Sequence, residues 1–377
     1  MLRRKFEKRY KVLHIVGGMD IGGTETMLMN LYRQVYNVIQ FDFISYYEKD
    51  AYYDNEIKEL GGKVIKTDSP SKVGQLKSLI NLYKIIKQGK YEVVHAHTLF
   101  NCGTVMLSAK LAGAKVRISH SHTNLDKSNN IIKKVYFSIM RMGIKIFSTD
   151  FVACSDSAGK YLFGKGIINN NKYKFLPNYI DYNKFLQCED CNSIRETLYI
   201  KKDDIVVGHV GRFVDSKNHK FLIDIINNMV KKNEKVKAIL VGDGPLRKDI
   251  EKKVKDLGID KNIYFLGLRN DIDVILNNCD LVIFPSIYEG LGLVMLEAQA
   301  CGIPCIVSEA IQSEADLGIG LLNRLELKDS CEEWSNKAFK LVGKKQKDKA
   351  NIKNSFKNKG YELNQIVSSL LDIYKIN

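Results

Sequence analysis

The chain has 377 residues, 45% of them hydrophobic, and a formal net charge of +15. Its length is too great for one small core and points to about two domains, and no apolar run reaches the roughly 20 residues of a membrane span. The positive charge asks for an anionic partner, whether nucleic acid, an anionic membrane surface or a phosphorylated substrate; no RNA-binding or helix-turn-helix pattern is present, so nucleic acid is not expected.

From the N-terminus, KVLHIV opens a series of strands. Its apolar run, Val12 to Val16, is short and broken by His14. It therefore reads as a strand and not as a signal-peptide core, and a cytoplasmic chain is expected. GGMDIGGTETML then puts Gly22 and Gly23 before a helix whose apolar face is Met27, Leu28, Leu31, Tyr32 and Val35. The pattern is not G-x-G-x-x-G, which argues against a Rossmann dinucleotide site.

Further strands are expected at FDFISYY, KVIKT, YEVVHAH, KVRISHS and DFVACS. His95 and His97 close one of them, and His120 and His122 close the next. Alternation puts each pair on one face. Zinc is one use for such histidines, but no carboxylate or thiol clearly completes a set of ligands. The run 129–147 mixes Ile131, Ile132, Val135, Ile139 and Met142 with Lys133, Lys134, Arg141 and Lys145. It fits a basic amphipathic helix lying on an anionic leaflet, and it also fits a core helix with a solvated basic face.

The polar stretch Leu176 to Ser193 marks a hinge. It holds Cys188 and Cys191, a single C-x-x-C where structural zinc needs four ligands. The eight cysteines are otherwise scattered, as thiols in a reducing compartment would be. Beyond the hinge the alternation resumes with DIVVGHVG, VKAILVGDG, NIYFLG, DLVIFPS and IPCIVS. Continuous apolar strands separated by helices mean parallel sheets covered on both sides. Two doubly wound domains are therefore expected, over residues 1–180 and 194–355. A last amphipathic helix in 361–377 has Leu363, Ile366, Val367, Leu370 and Leu371 on one face.

In open parallel sheets, ligands bind at the carboxyl ends of strands. There the stretch YEGLGLVMLEAQACG sets Glu289 and Glu297 eight residues apart. Read as helix, that separation is about 12 Å, on the order of a nucleotide diphosphate with its sugar. Gly290 and Gly292 allow close approach of backbone, helix N-terminal amides favour an anion, and a carboxylate suits the paired hydroxyls of a ribose. A capped helix with a surface glutamate fits the same spacing. Arg212 and Lys217 in HVGRFVDSKNHKFL add two cations at another strand end, which suits a diphosphate.

Taken as an ordered set, GRFVDSKN, LVGDGPLR, FLGLRND and PSIYEGLGLVMLEAQACGIPCIVS resemble the donor-binding half of the large retaining GT-B glycosyltransferase family, which has the E-x7-E motif and includes bacterial capsule and exopolysaccharide transferases. The resemblance covers most of the chain. It implies two Rossmann-like domains facing a central cleft, with the C-terminal helix packing back on the first domain. It implies that Glu297 holds the ribose, that Glu289 holds donor-sugar hydroxyls, and that Arg212 and Lys217 neutralise the leaving diphosphate. Amides of Leu291, Gly292, Leu293 and Val294 would meet sugar and phosphates, backbone near Leu268 the base, and the Gly22–Gly23 loop the donor from across the cleft. His97 would lie beside the donor sugar, with His120 and His122 on the acceptor side.

The expected reaction moves a sugar from a UDP-sugar to a hydroxyl of a growing, lipid-linked oligosaccharide of a surface polysaccharide, with peripheral contact at the inner face of the membrane. The nucleotide-sugar is a substrate and no cofactor is required. Asp271 and Asp273 spell D-x-D, but at a helix start Asp is a routine cap, so no metal is expected there. Tyr179 stands where the family commonly has glycine. Two other activities fit parts of the pattern. One is a nucleotide-sugar epimerase, against which the E-x7-E spacing argues; the other is a non-catalytic nucleotide-sugar binder in a polysaccharide assembly complex.

Overall fold

The computed structural model describes residues 9–122, 131–187, 193–289 and 291–376. Cys188, Cys191, Asn129 and Gly290 lie outside the described residues. The chain divides into two units. The first runs to Tyr179 and takes in the segment from Tyr361, and the second is Ile180–Gly360.

The first unit is built on seven strands: β1 (Tyr10–Ile15), β2 (Ile39–Ser45), β3 (Val64–Lys66), β4 (Val93–Ala96), β5 (Val116–Ser121), β6 (Asp150–Ala153) and β7 (Tyr173–Phe175). They pair in parallel in the order β3-β2-β1-β4-β5-β6-β7. The inner strands are the unbroken apolar runs of the sequence, buried on both faces as helical crossovers require. Met27, Leu28, Leu31, Tyr32 and Val35 of the helix Gly23–Val35 are all buried. The helix Leu363–Tyr374 belongs to this unit. Its buried residues are Ile366, Leu370, Ile373 and Tyr374, so its inner face is turned toward the last two relative to the face expected from periodicity.

The second unit has six strands: β8 (Ile205–Val210), β9 (Val236–Val241), β10 (Ile263–Gly267), β11 (Leu281–Phe284), β12 (Cys305–Ser308) and β13 (Leu322–Leu325), in the order β10-β9-β8-β11-β12-β13. Its core gathers Leu222, Ile226, Leu240, Ile283 and Trp334. Two strands had no expectation in the sequence, β7 and β13. Both are edge strands of three and four residues, only partly buried, so neither carries the continuous apolar run that marks an inner strand.

Strand order reverses between β1 and β4 in the first sheet and between β8 and β11 in the second. These are the topological switch points, outside whose carboxyl ends open α/β sheets bind ligands. Among the described residues no helix is long and apolar enough to cross a membrane.

Candidate functional site

In the second unit the loops after β8 and β11 meet at the switch point. Ile287 donates its backbone N–H to the Ser216 carbonyl at 2.7 Å. That bond sets Lys217 against Glu289, and the Lys217 ammonium donates to Glu289 Oε1. Ser286 Oγ donates to the same oxygen at 2.9 Å. Both of these bonds fall on Oε1. Arg212 is exposed and makes no ion pair among the described residues.

The loop that carries Arg212 is held by glycines. Gly242 and Gly244 sit at φ +127° and +159°. A Cβ on Gly242 would lie 2.2 Å from the Gly211 carbonyl oxygen, and one on Gly244 2.6 Å from that of Phe213. Both neighbours are backbone and cannot rotate away. Gly242→Ala is expected to cost on the order of 2–4 kcal/mol through strain and overpacking; thermal unfolding reads it, with an unchanged midpoint as the contrary result. The Gly242 N–H also donates to the Gly267 carbonyl at 2.8 Å, which brings the backbone beside Leu268 next to this loop. Leu268 itself is exposed.

The helix expected to hold both acids starts later than its spacing suggested. It runs Leu293–Ala300, with Gly292 as its N-cap, because glycine disfavours helix interiors. The separation of Glu289 from Glu297 is therefore not a helical 12 Å: only Leu293 to Glu297, about 6 Å of rise, is helix. Leu291, Gly292, Leu293 and Val294 form the N-terminal turn, whose amides lack intrahelical partners. Glu297 faces a pair of groups that sequence reasoning did not connect with it: Lys184, which had no signal, and Asp273, read there only as a helix cap. Lys184 and Asp273 form an ion pair at 2.9 Å. Burial pushes the Glu297 carboxyl up to about 7, with Lys184 opposing the rise and Asp273 adding to it. Asp271 is held bidentately by Arg269, at 2.8 and 2.5 Å. Both acids of the D-x-D sequence are thus already matched to cations.

In the first unit, Gly22 caps the helix that begins at Gly23. A Cβ on Gly22 would meet the Glu25 carboxylate at 2.4 Å, so the small residue leaves room for that side chain. At the switch point, five histidines and one tyrosine form a continuous chain. His120 Nδ1 contacts His95 Nε2 at 3.1 Å, and His95 Nδ1 contacts the Tyr374 hydroxyl at 3.0 Å. That hydroxyl lies 3.5 Å from His14 Nε2. His14 Nδ1 reaches His97 Nε2 at 3.0 Å, and His97 Nδ1 reaches His122 Nε2 at 2.7 Å.

A neutral imidazole has one N–H and one lone pair. Where the Tyr374 hydroxyl accepts from one neighbouring histidine and donates to the other, an all-neutral chain runs in one of two senses, with a donor at one end and an acceptor at the other. The ends are His120 Nε2 and His122 Nδ1, buried and without hydrogen-bond partners. Burial holds His14, His95, His97 and His120 well below the usual imidazole range and lowers His122 to about 3.

His14, His95 and His97, or His97, His120 and His122, each bring three ring nitrogens within 4.8 Å and can in principle hold a metal. The contacts of 2.7–3.1 Å between rings are shorter than the roughly 3.3 Å between nitrogens tetrahedral about zinc. They are the lengths of hydrogen bonds. The structure thus joins the four predicted histidines and adds His14 and Tyr374. His14 was visible as a polar residue inside β1, but only the β1–β4 pairing reveals its neighbours. Tyr374 had no signal, lying 279 residues from His95.

The family model described as "Glycosyltransferase Family 4" matches residues 21–184, and that described as "Glycosyl transferases group 1" matches residues 190–358. The chain is similar to the putative glycosyltransferase EpsF of Bacillus subtilis (strain 168), with 34% identity over 371 residues and 97% of each chain covered. It is also similar to the Escherichia coli UDP-Gal:alpha-D-GlcNAc-diphosphoundecaprenol alpha-1,3-galactosyltransferase, with 31% identity over 245 residues and 63% of each chain covered. Among solved structures, Anabaena Alr3699/HepE in complex with UDP and glucose superposes with a TM-score of 0.79 at 20% identity, covering 97% of this chain and 100% of that one. With its two parallel-sheet, Rossmann-like units and a relative 34% identical over 97% of each chain, the chain belongs to the GT-B glycosyltransferases of group 1 and family 4.

Proposed function

We propose that the protein is a retaining glycosyltransferase that moves a sugar from a UDP-sugar to a hydroxyl of a growing, lipid-linked oligosaccharide of a surface polysaccharide. The observation that carries this reading is the meeting of Lys217 and Glu289 at the second unit's switch point, with Glu297 in the first turns of the helix that follows. Glu297 accepts hydrogen bonds from both ribose hydroxyls. Glu289 accepts from donor-sugar hydroxyls. The Leu291–Val294 amides meet sugar and phosphates, and backbone at Leu268 meets the base.

As the glycosidic bond breaks, charge grows on the diphosphate. Lys217 and Arg212 stabilise it electrostatically. The departing diphosphate takes the acceptor proton on the same face, which retains configuration. His122, the less buried end of the histidine chain, serves the acceptor side, and His120, expected there as well, is buried and acts only through the chain. His97, whose nitrogens both engage other histidines, orients His122. The Gly22–Gly23 turn serves the donor. Transfer requires no metal, since both D-x-D acids are already matched to cations. The UDP bound to the Anabaena structure and the lipid-diphosphate acceptor of the Escherichia coli relative support donor and acceptor class. The protein works at the inner face of the membrane as a peripheral enzyme.

The test is the pH dependence of UDP binding. A carboxylate is needed to accept from both ribose hydroxyls, and burial holds Glu297 near pKa 7. Affinity should therefore fall about tenfold per pH unit below 7 and level off above it. Calorimetric titration from pH 6 to 8.5 reads this, and Glu297→Gln should flatten the profile at the weak end. An unchanged affinity and slope in Glu297→Gln would remove Glu297 from the donor site. Tighter binding of GDP or ADP than of UDP would reassign the base.

A further inference from the structure

The helix Ile131–Phe147 packs against its unit by one side only. Ile144 is buried, Phe137 stacks on Phe100 with centroids 4.1 Å apart, and the Tyr136 hydroxyl donates to Asn101 at 2.6 Å. Arg141 donates to the carbonyls of Leu162 and Tyr161 at 3.0 and 2.9 Å. These contacts fix the helix firmly. Its other side carries Ile131, Val135, Ile139, Met142 and Ile146, each between 54% and 75% exposed. At 100° per residue the five fall within an arc of about 80°, and they extend over about 22 Å of helix. Single exposed apolar residues need no explanation, but a continuous stripe of this size marks an interaction surface. The structure thus departs from the core-helix reading of the run: these apolar residues are not in the core.

Next to the stripe, on the flank between it and Arg141 of the packed face, come Lys134, Ser138 and Lys145. The helix contains no Asp or Glu. Lys145 Nζ lies 3.5 Å from where a Gly164 Cβ would stand, and Lys165 follows directly. Lys110 lies over the Phe147 ring at 5.3 Å, at the C-terminal end of the helix. All four lysines are exposed. We infer that this helix is an in-plane anchor for an anionic lipid bilayer, with the stripe entering the acyl boundary and the lysines meeting lipid phosphates.

The charge pattern selects the bilayer over other occupants. Protein interfaces are depleted of lysine at their core and pair charges across it. A second copy, docked through the same stripe about a two-fold axis, would bring lysines toward lysines. A leaflet carrying negative headgroups satisfies both the apolar and the basic side at once. The inference sharpens the proposed membrane setting by naming the surface responsible. It rests on the helix geometry and not on the transfer chemistry.

The test is co-sedimentation of the full chain with phosphatidylcholine vesicles, with and without phosphatidylglycerol. Binding is expected only with the anionic lipid and should weaken as salt is raised. Val135→Glu with Ile139→Glu should weaken it at least about tenfold. Lys134→Gln and Lys145→Gln should each weaken it about fivefold. All four positions are exposed, so folding should be intact, as circular dichroism can verify, and transfer to a water-soluble acceptor should not change. Transfer to a vesicle-borne acceptor should fall with binding. Equal binding to neutral vesicles, or none to either, overturns the inference. So does concentration-dependent self-association that the stripe variants abolish, which would give the surface to a second copy. Vesicle binding without any transfer activity would uphold the anchor and count against the enzymatic reading alone.

Discussion

Acidification from pH 7.5 to pH 5 is expected to remove most of the first unit's stability. Five of the seven histidines lie in its hydrogen-bonded chain, each held neutral by burial. In the unfolded chain each would take up a proton below about pH 6.5. The unfolded state then binds more protons than the folded one, so stability falls as pH falls. At pH 5 the loss is about 2 kcal/mol for each imidazole that stays neutral in the fold. Five such losses rival the 5–15 kcal/mol that holds a typical domain together.

The second unit has two histidines, His209 and His219, both shifted downward by burial, and should lose much less. Scanning calorimetry at the two pH values should therefore show one transition moving down much further than the other. Proton uptake on unfolding at pH 5.5 should exceed that at pH 7.5. Tyr374→Phe supplies the control. It deletes the hydroxyl between His95 and His14 and leaves their nitrogens buried without a partner, at about 1–3 kcal/mol. It should lower stability at pH 7.5 and leave the pH slope unchanged. A flat profile between pH 7.5 and 5 would mean that the cluster is not buried and neutral.

Lys217→Ala should lower kcat by about 10²–10³-fold and change KM little, as expected for a charge that acts on the leaving group in the transition state. Lys217 is held in place before any donor arrives by its pairing with Glu289, itself fixed by Ser286. Lys217→Arg should not restore full activity, because a planar fork cannot occupy the place of a point ammonium. Arg212→Ala should cost less, about tenfold, since its side chain is exposed and screened. Steady-state kinetics at saturating acceptor distinguishes the cases. A raised KM with kcat intact would make Lys217 a binder of ground-state donor. EDTA should leave all these rates unchanged.

The inner strands and the first helix face could be read from the chain because burial on both sides of a parallel sheet demands unbroken apolar runs. The short edge strands β7 and β13 could not, because an edge makes no such demand. The second unit's acids and cations could be placed at strand ends for the same topological reason. Their pairing could not. That Lys217 meets Glu289 depends on the backbone bond from Ile287 to Ser216. That Glu297 titrates near 7 depends on burial beside Lys184 and Asp273, which sequence does not place next to it.

The histidines show the same division. Alternation along β4 and β5 is a local property, and it assigned His95 with His97 and His120 with His122 to common faces. His14 enters only because β1 lies next to β4, and Tyr374 only because the last helix returns to the first unit. The helix Ile131–Phe147 was legible as amphipathic and basic. Which of its faces would be buried was not, since an apolar stripe looks alike whether it meets a core or a lipid surface. Local sequence determines which residues form each element and on which face they stand. Which elements become neighbours, and hence which charges pair and which nitrogens stay buried, is decided by packing the whole chain.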